Sequence, residues 1–234
     1  MLVDFPNIFE WLERAAPLQG FPAATIVLLA AAVVVAIWDW RVALFALVVQ
    51  YLAGGLLFAD LLDPRLAFVK FLAGMFICLM LYMTARQVEW GRQPADLSPA
   101  EQSRLHPRRT VAIWRFTLPA LHLLHLVLVV AVVFLVFVLA DRPAFQLAII
   151  PDYVSLAVLG LTALGLLGML ISGEPMKAGM SFLLFMTGFE LLYNTLDQTV
   201  AMLILLAGAN MAFTLTIAYL TQLRYAPPVA LDEA

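Results

Sequence analysis

The sequence predicts an all-α polytopic membrane protein with seven transmembrane helices. Of its 234 residues, 64% are hydrophobic and 12% are charged, whereas soluble proteins average roughly 45–50% and about 25%. The mean hydropathy is +0.98. Seven apolar runs each approach the roughly 20 residues that a helix needs to cross a bilayer, and continuous rather than alternating runs favour helices over a barrel. The runs cover residues 21–38, 42–62, 66–85, 117–140, 153–172, 178–196 and 199–223.

The composition excludes several functional classes. The net charge of −3 leaves no basic excess for a nucleic-acid partner. The single cysteine, Cys78, lies in an apolar run, so no disulfide framework or thiolate metal cluster is expected. The longest polar stretch, Arg86–Arg115, has 30 residues, which is too short for a soluble catalytic domain. We therefore expect no metal and no catalysis by this chain alone, and the lipid bilayer as one partner.

Residues 1–20 are predicted to form an amphipathic helix on the membrane surface. Phe5, Ile8, Phe9 and Leu12 recur at the spacing of one helical face. The first charged residue is Asp4, and no basic region precedes an apolar run, so a signal peptide is not expected. A frayed tail is the alternative.

The lysines and arginines predict the orientation of the chain. Six arginines lie in residues 86–116, which we call the basic loop, and an excess of basic residues marks cytoplasmic loops. Alternation of the helices then places Arg41, Lys177 and Arg224 on the same side, against Arg14, Arg65 and Arg142 outside. The N-terminus is therefore expected outside, and residues 224–234 form a cytoplasmic tail.

The first three and the last three predicted helices align as an internal repeat. The 13 residues from Leu62 match the 13 from Leu196 without gaps, with six identities that include Asp63 with Asp197 and Gly74 with Gly208. Both copies receive the same orientation from the charge pattern. The alignment predicts a 3+1+3 arrangement, in which units 21–85 and 153–223 flank a connecting helix over 117–140 and are related by rotation about the membrane normal.

Glu190 is the clearest ionisable residue within an apolar run. It lies about 11 residues, or roughly 17 Å, from the predicted start of its helix, and a charge at such depth costs about 2.5–3.5 kcal/mol. Thr187, Asn194 and Asp197 lie on the same face of the predicted helix as Glu190. Because desolvation disfavours the charged carboxylate, the site suits uptake and release of protons. The alternative is a neutral glutamic acid that donates one interhelical hydrogen bond.

Other polar residues in the apolar runs leave alternatives open. Lys70, one turn into its helix, can snorkel to the interface or remain buried in a charge relay. Asn210 is expected to form an interhelical hydrogen bond among small residues. His122 and His125 share a face and suit a relay, satisfied packing, or a metal or haem site, although no Cys, Asp or Glu on their helix completes one. The predicted proton or ion path contains Glu190, Lys70, His122, His125, Asn194, Asp197 and Asn210.

The motif Gly188-Phe189-Glu190, followed by Asn194 and preceded by a link containing Lys177, resembles subunit K of the bacterial complex I membrane arm. That family is similar to the C subunit of Mrp-type sodium/proton antiporters, and the resemblance covers about 70 residues. In the family the third helix carries a second glutamate, whereas Asn210 stands here, so a relay of two carboxylates within this chain is not expected. The longer layout is similar to component E of hydrogenase-4-type complexes.

The resemblance implies a subunit of the bacterial inner membrane without a redox cofactor of its own. It would supply Glu190 to the ion path of a complex-I-like or hydrogenase-like redox-driven proton or sodium pump, beside antiporter-like subunits. The alternatives are a subunit of a multi-subunit cation/proton antiporter and a non-conducting membrane scaffold.

Overall fold

A computed structural model describes residues 16–88, 110–113, 116–143, 145 and 150–225, without the side chains of residues 110–122. The predicted surface helix lies outside the described residues, apart from a 3₁₀ turn over Ala16–Leu18 at its end. Most of the basic loop and most of the predicted tail also lie outside them.

The described residues form seven α-helices, each of which overlaps one predicted apolar run, so the all-helical fold is confirmed. The helices are α1 Phe21–Ala36, α2 Trp40–Leu61, α3 Pro64–Gln87, α4 Ala120–Ala140, α5 Asp152–Ile171, α6 Pro175–Leu196 and α7 Val200–Tyr225. Two short strands, β1 Thr110–Ile113 and β2 Phe116–Pro119, pair antiparallel before α4.

Five helices are long and apolar enough to cross a membrane, which supports a membrane protein. They are α2, α3, α5, α7 and the 18 residues Leu123–Ala140 of α4. Helix α1 is shorter, with 16 residues. Helix α6 has 22 residues, but Lys177, Glu190 and Asn194 lower its hydropathy, and it is not among the five.

Aspartates and prolines set where several helices begin. Asp39 Oδ1 accepts a hydrogen bond of 2.9 Å from the backbone N–H of Arg41 at the start of α2. Asp63 does the same for Arg65 at the start of α3, also at 2.9 Å. Pro64, at the first position of α3, lacks an N–H that would have no helical partner.

The predicted start of the connecting helix is wrong. Residues 117–119 belong to β2, where Leu118 pairs with Val111, and α4 begins at Ala120. The hairpin reaches into the predicted basic loop, where no strand was expected. Pro119 accounts for the late start of α4, because proline disfavours helical backbone at the residue before it and offers no N–H.

Helices α1, α2, α5 and α6 form the centre of the bundle. Small residues allow α5 and α6 to pack closely, since a Cβ added at Gly165 would lie 2.6 Å from the backbone nitrogen of Phe185. Helix α4 lies against α1 and α5 and leaves most of its apolar surface exposed. Helix α3 packs between α2 and α7, and α7 also contacts α6. The buried polar side chains of Lys70, Glu190 and Asn210 lie where α3, α6 and α7 meet, with Tyr51 of α2 beside them.

Candidate functional site

Lys70 of α3 and Glu190 of α6 form a buried ion pair. The lysine Nζ lies 2.8 Å from Glu190 Oε1, and the two side chains are 6% and 4% exposed. Asn210 of α7 donates a hydrogen bond of 3.0 Å from Nδ2 to the same carboxylate oxygen. Helix α3, which is far from α6 and α7 in the sequence, and the consecutive helices α6 and α7 thus each contribute one polar side chain. We call this group the Lys70–Glu190 centre.

The lysine does not lie at the end of its helix. Lys70 is six positions after Pro64, or about 9 Å along α3. Its ammonium is directed at Glu190 and lies 5.8 Å from the centre of the Phe58 ring. The side chain is therefore buried between helices rather than snorkelling to a surface.

A cavity of about 20 Å³ adjoins the Lys70–Glu190 centre. This volume exceeds the roughly 10–15 Å³ that one water molecule needs. The Tyr51 hydroxyl of α2 and Asn210 Oδ1 are buried and have no hydrogen-bond partner among the described residues, and both residues line the cavity. A water molecule placed there would meet a donor, an acceptor and the lysine ammonium, which is enough partners to hold it.

Gly74 allows Tyr51 to approach the centre. A Cβ added at Gly74 would lie 2.6 Å from Cδ1 of the Tyr51 ring, closer than real contacts allow. The glycine on α3 therefore lets the tyrosine ring lie against the α3 backbone, so that Tyr51 can border the cavity.

The predicted polar stripe of α6 divides into different roles. Thr187 is buried and donates from Oγ1 to the carbonyl of Leu183 within the same helix. Asn194 is fully buried, and neither of its amide atoms has a partner among the described residues. Asp197 lies beyond the end of α6, where Oδ1 accepts a 3.0 Å hydrogen bond from the backbone N–H of Thr199. Asp197 thus shapes a helix junction and is not in contact with the Lys70–Glu190 centre.

His125 is not brought to the Lys70–Glu190 centre. His125 is buried and stacks on Trp38, with ring centroids 6.1 Å apart. Trp38 also lies 4.6 Å from the ammonium of Lys177, which donates a 2.9 Å hydrogen bond to the carbonyl of Ile37. Lys177 is 13 positions before Glu190 on α6, or about 20 Å along the helix. His125 therefore belongs to a second polar group, and the side chain of His122 lies outside the described residues.

Two adjacent buried residues of α2 were missed by the sequence analysis. Tyr51 lines the cavity, and Gln50, the residue before it, is fully buried with no described partner for its amide. An amide within an apolar run was a usable signal, because a buried polar group needs partners. Tyr51 was harder to identify as a polar residue of the site, because a tyrosine ring is largely apolar and is common in apolar runs.

Within the described part of the chain, no three His, Cys, Asp or Glu side chains are grouped so that they could hold a metal ion. Comparison with protein-family models, curated proteins and solved structures found no match for the chain.

Proposed function

We propose that this chain is a membrane subunit that passes protons, or sodium ions, through the Lys70–Glu190 centre. Its place would be the membrane arm of a complex-I-like or hydrogenase-like redox-driven pump, beside antiporter-like subunits. The observation that carries the proposal is the ion pair of 2.8 Å, buried between α3 and α6 and bordered by a cavity with room for water.

The chemistry of the pair suits ion transfer. A carboxylate and an ammonium in a medium of low dielectric constant interact strongly, so the protonation of one group depends on the charge of the other. A proton that reaches Glu190 weakens its hold on Lys70, and its departure restores the pair. Asn210 cannot titrate, and its hydrogen bond holds one carboxylate oxygen in place.

The chain would cross the membrane seven times in a 3+1+3 arrangement, and the repeat is supported by a groove of about 450 Å³ between α3 and α7. Eight of its ten lining residues form four pairs that correspond in the repeat alignment. The pairs are Leu66 with Val200, Val69 with Leu203, Lys70 with Ile204, and Ala73 with Ala207. Such a lining is expected if a rotation axis runs along the groove. Asp63 and Asp197, which correspond, also bind the backbone N–H two residues later in the same way.

The Lys70–Glu190 centre takes residues from both copies of the proposed repeat, and the equivalent position related by the repeat carries no charge. The residues that correspond to Lys70, Glu190 and Asn210 are Ile204, Leu56 and Phe76, all of them apolar. The repeat would therefore provide two equivalent positions where the copies meet, each built from residues of both copies, and a charged centre at only one of them.

In a bacterial inner membrane, the N-terminus of the chain would lie outside and its C-terminus in the cytoplasm. Contacts at one end of the bundle support this proposed orientation. Arg224 donates a 3.0 Å hydrogen bond to the carbonyl of Gly173, and Gln222 donates one of 2.9 Å to Gln87. Gln87 belongs to the basic loop, so Arg224 lies toward the end of the bundle where that loop begins, as alternation requires.

One specific observation favours a second function, that of a non-conducting scaffold. The centre joins three helices through two polar contacts, which is how polar residues hold helices together in membranes. A subunit of a cation/proton antiporter would use the same centre as the redox-driven pump, and the chains that co-purify with the native complex distinguish these two.

The deciding experiment is ion transport by vesicles that contain the native complex, with Glu190→Gln in this chain. Glutamine keeps the shape and can still accept from Asn210, but it cannot titrate. We expect normal assembly and loss of transport, whereas Asp152→Asn, an exposed acid at the start of α5, should change neither. Full transport by a normally assembled Glu190→Gln complex would reject the proposal and favour the scaffold.

A further inference from the structure

A second groove, separate from the Lys70–Glu190 centre, runs between α2 and α3 and has a volume of about 640 Å³. This size falls within the roughly 300–1,000 Å³ of small-molecule sites. The groove extends along the first turns of α2, from Trp40 to Val48, and the last turns of α3, from Met75 to Arg86. These stretches correspond to about 12 and 17 Å of helix, which is close to half of a bilayer core of about 30 Å.

The lining of the groove changes from basic to apolar along its length. Arg41 and Arg86 lie at one end, and both side chains are exposed. Trp40 and Tyr82 come next, with ring centroids 6.1 Å apart. The deeper part is apolar and is lined by Leu44, Phe45, Val48, Met75, Cys78 and Leu79.

We propose that this groove binds one anionic phospholipid, with its phosphate on Arg41 and Arg86 and an acyl chain along the apolar part. Guanidinium groups match the geometry of phosphate. Tryptophan and tyrosine favour the level of lipid headgroups, and they lie between the arginines and the apolar lining. The nearby carboxylate of Asp39 accepts from the backbone at the start of α2.

Selectivity should come from the headgroup. An acyl chain that enters the groove leaves one apolar environment for another, so it gains packing but no hydrophobic free energy. The two arginines attract the phosphate of either lipid class, but they also repel the cationic group of a zwitterionic headgroup, so the net attraction favours an anionic lipid. The site therefore discriminates by charge at the arginines and by shape along α2 and α3.

The test is a lipid titration of the full-length chain in detergent, followed by native mass spectrometry. Phosphatidylglycerol and phosphatidylcholine with the same acyl chains serve as probes. We expect phosphatidylglycerol to bind more tightly than phosphatidylcholine. Arg41→Gln or Arg86→Gln should weaken the binding of phosphatidylglycerol about fivefold, because one basic residue near a membrane surface contributes about 1 kcal/mol. Arg65→Gln, an exposed arginine at the other end of α3, is the control and should leave binding unchanged.

A second pair of variants tests the groove itself. Leu79→Trp fills the apolar part and should weaken binding of both lipids, whereas Leu72→Trp, at an exposed position of α3 outside the groove, should not. Equal affinity of the wild-type chain for both lipids would overturn the proposal. Unchanged phosphatidylglycerol binding in the double arginine variant, or in Leu79→Trp, would overturn it as well.

Discussion

Removing one partner of the buried ion pair should destabilise the fold, and removing the second partner as well should recover about half of the lost stability. Lys70→Met leaves the Glu190 carboxylate buried with one hydrogen bond, from Asn210. Breaking a buried pair in this way costs about 3–5 kcal/mol when the remaining charge persists, and gain or loss of a proton relieves part of that cost. We therefore expect a loss of about 2 kcal/mol in unfolding free energy for Lys70→Met or Glu190→Gln alone.

The double variant replaces the charges with an apolar side chain and an amide. The amide introduced by Glu190→Gln can accept from Asn210, so we expect a total loss of about 1 kcal/mol and a coupling energy of about 3 kcal/mol. The measurement is equilibrium unfolding of the full chain in mixed micelles for the wild type, both single variants and the double variant.

A control cycle combines Glu190→Gln with Lys177→Met. Lys177 is buried like Lys70, but it binds the carbonyl of Ile37 and lies about 20 Å from Glu190 along α6. The two effects should add within roughly 0.3–0.5 kcal/mol. A coupling for Lys70 and Glu190 as small as that of the control would refute the reasoning, since it would mean that the two charges do not stabilise one another.

Two further predictions concern packing and topology. Gly74→Ala should destabilise the chain by about 1–3 kcal/mol because the added Cβ meets the Tyr51 ring. Gly208→Ala changes the corresponding position, which has open space around it, and should be neutral or stabilise the chain by roughly 0.5–1 kcal/mol. Equal losses of unfolding free energy in the two variants would contradict this prediction. In a Cys78→Ala background, a cysteine that replaces Ser98 in the basic loop should react with an impermeant thiol reagent only after cells are permeabilised. Labelling of this cysteine in intact cells would show that the predicted orientation is wrong.

Hydropathy predicted the helices well because a chain in lipid must satisfy its backbone within each segment. Each of the seven apolar runs overlaps one helix, and the two largest errors at a start are at α4 and α6, which both begin beside a proline, Pro119 and Pro175. Asp63 and Pro64 begin α3 two residues before the apolar run. Pro119 delays α4, and the hairpin before it was hidden in a segment interpreted as a charged loop.

The partners of the polar residues were beyond prediction from one sequence. Helical periodicity tells which residues share a face, but it does not tell which other helix covers that face. Lys70 could therefore be assigned either to an interface or to a relay, and its pairing with Glu190 depends on how α3 packs beside α6 and α7. The same limit applies to Tyr51, whose ring can lie against α3 only because Gly74 has no side chain.

The most direct test of the proposed function is to detect the proton on Glu190 while ions are being transported. Infrared difference spectra of vesicles containing the native complex, recorded with and without turnover, report gain and loss of a protonated carboxyl group. We expect a carboxyl band that changes during turnover in the wild type and is missing in Glu190→Gln, whereas Asp152→Asn retains it. An unchanged difference spectrum in Glu190→Gln would contradict the central claim, because Glu190 would then hold helices together without exchanging a proton.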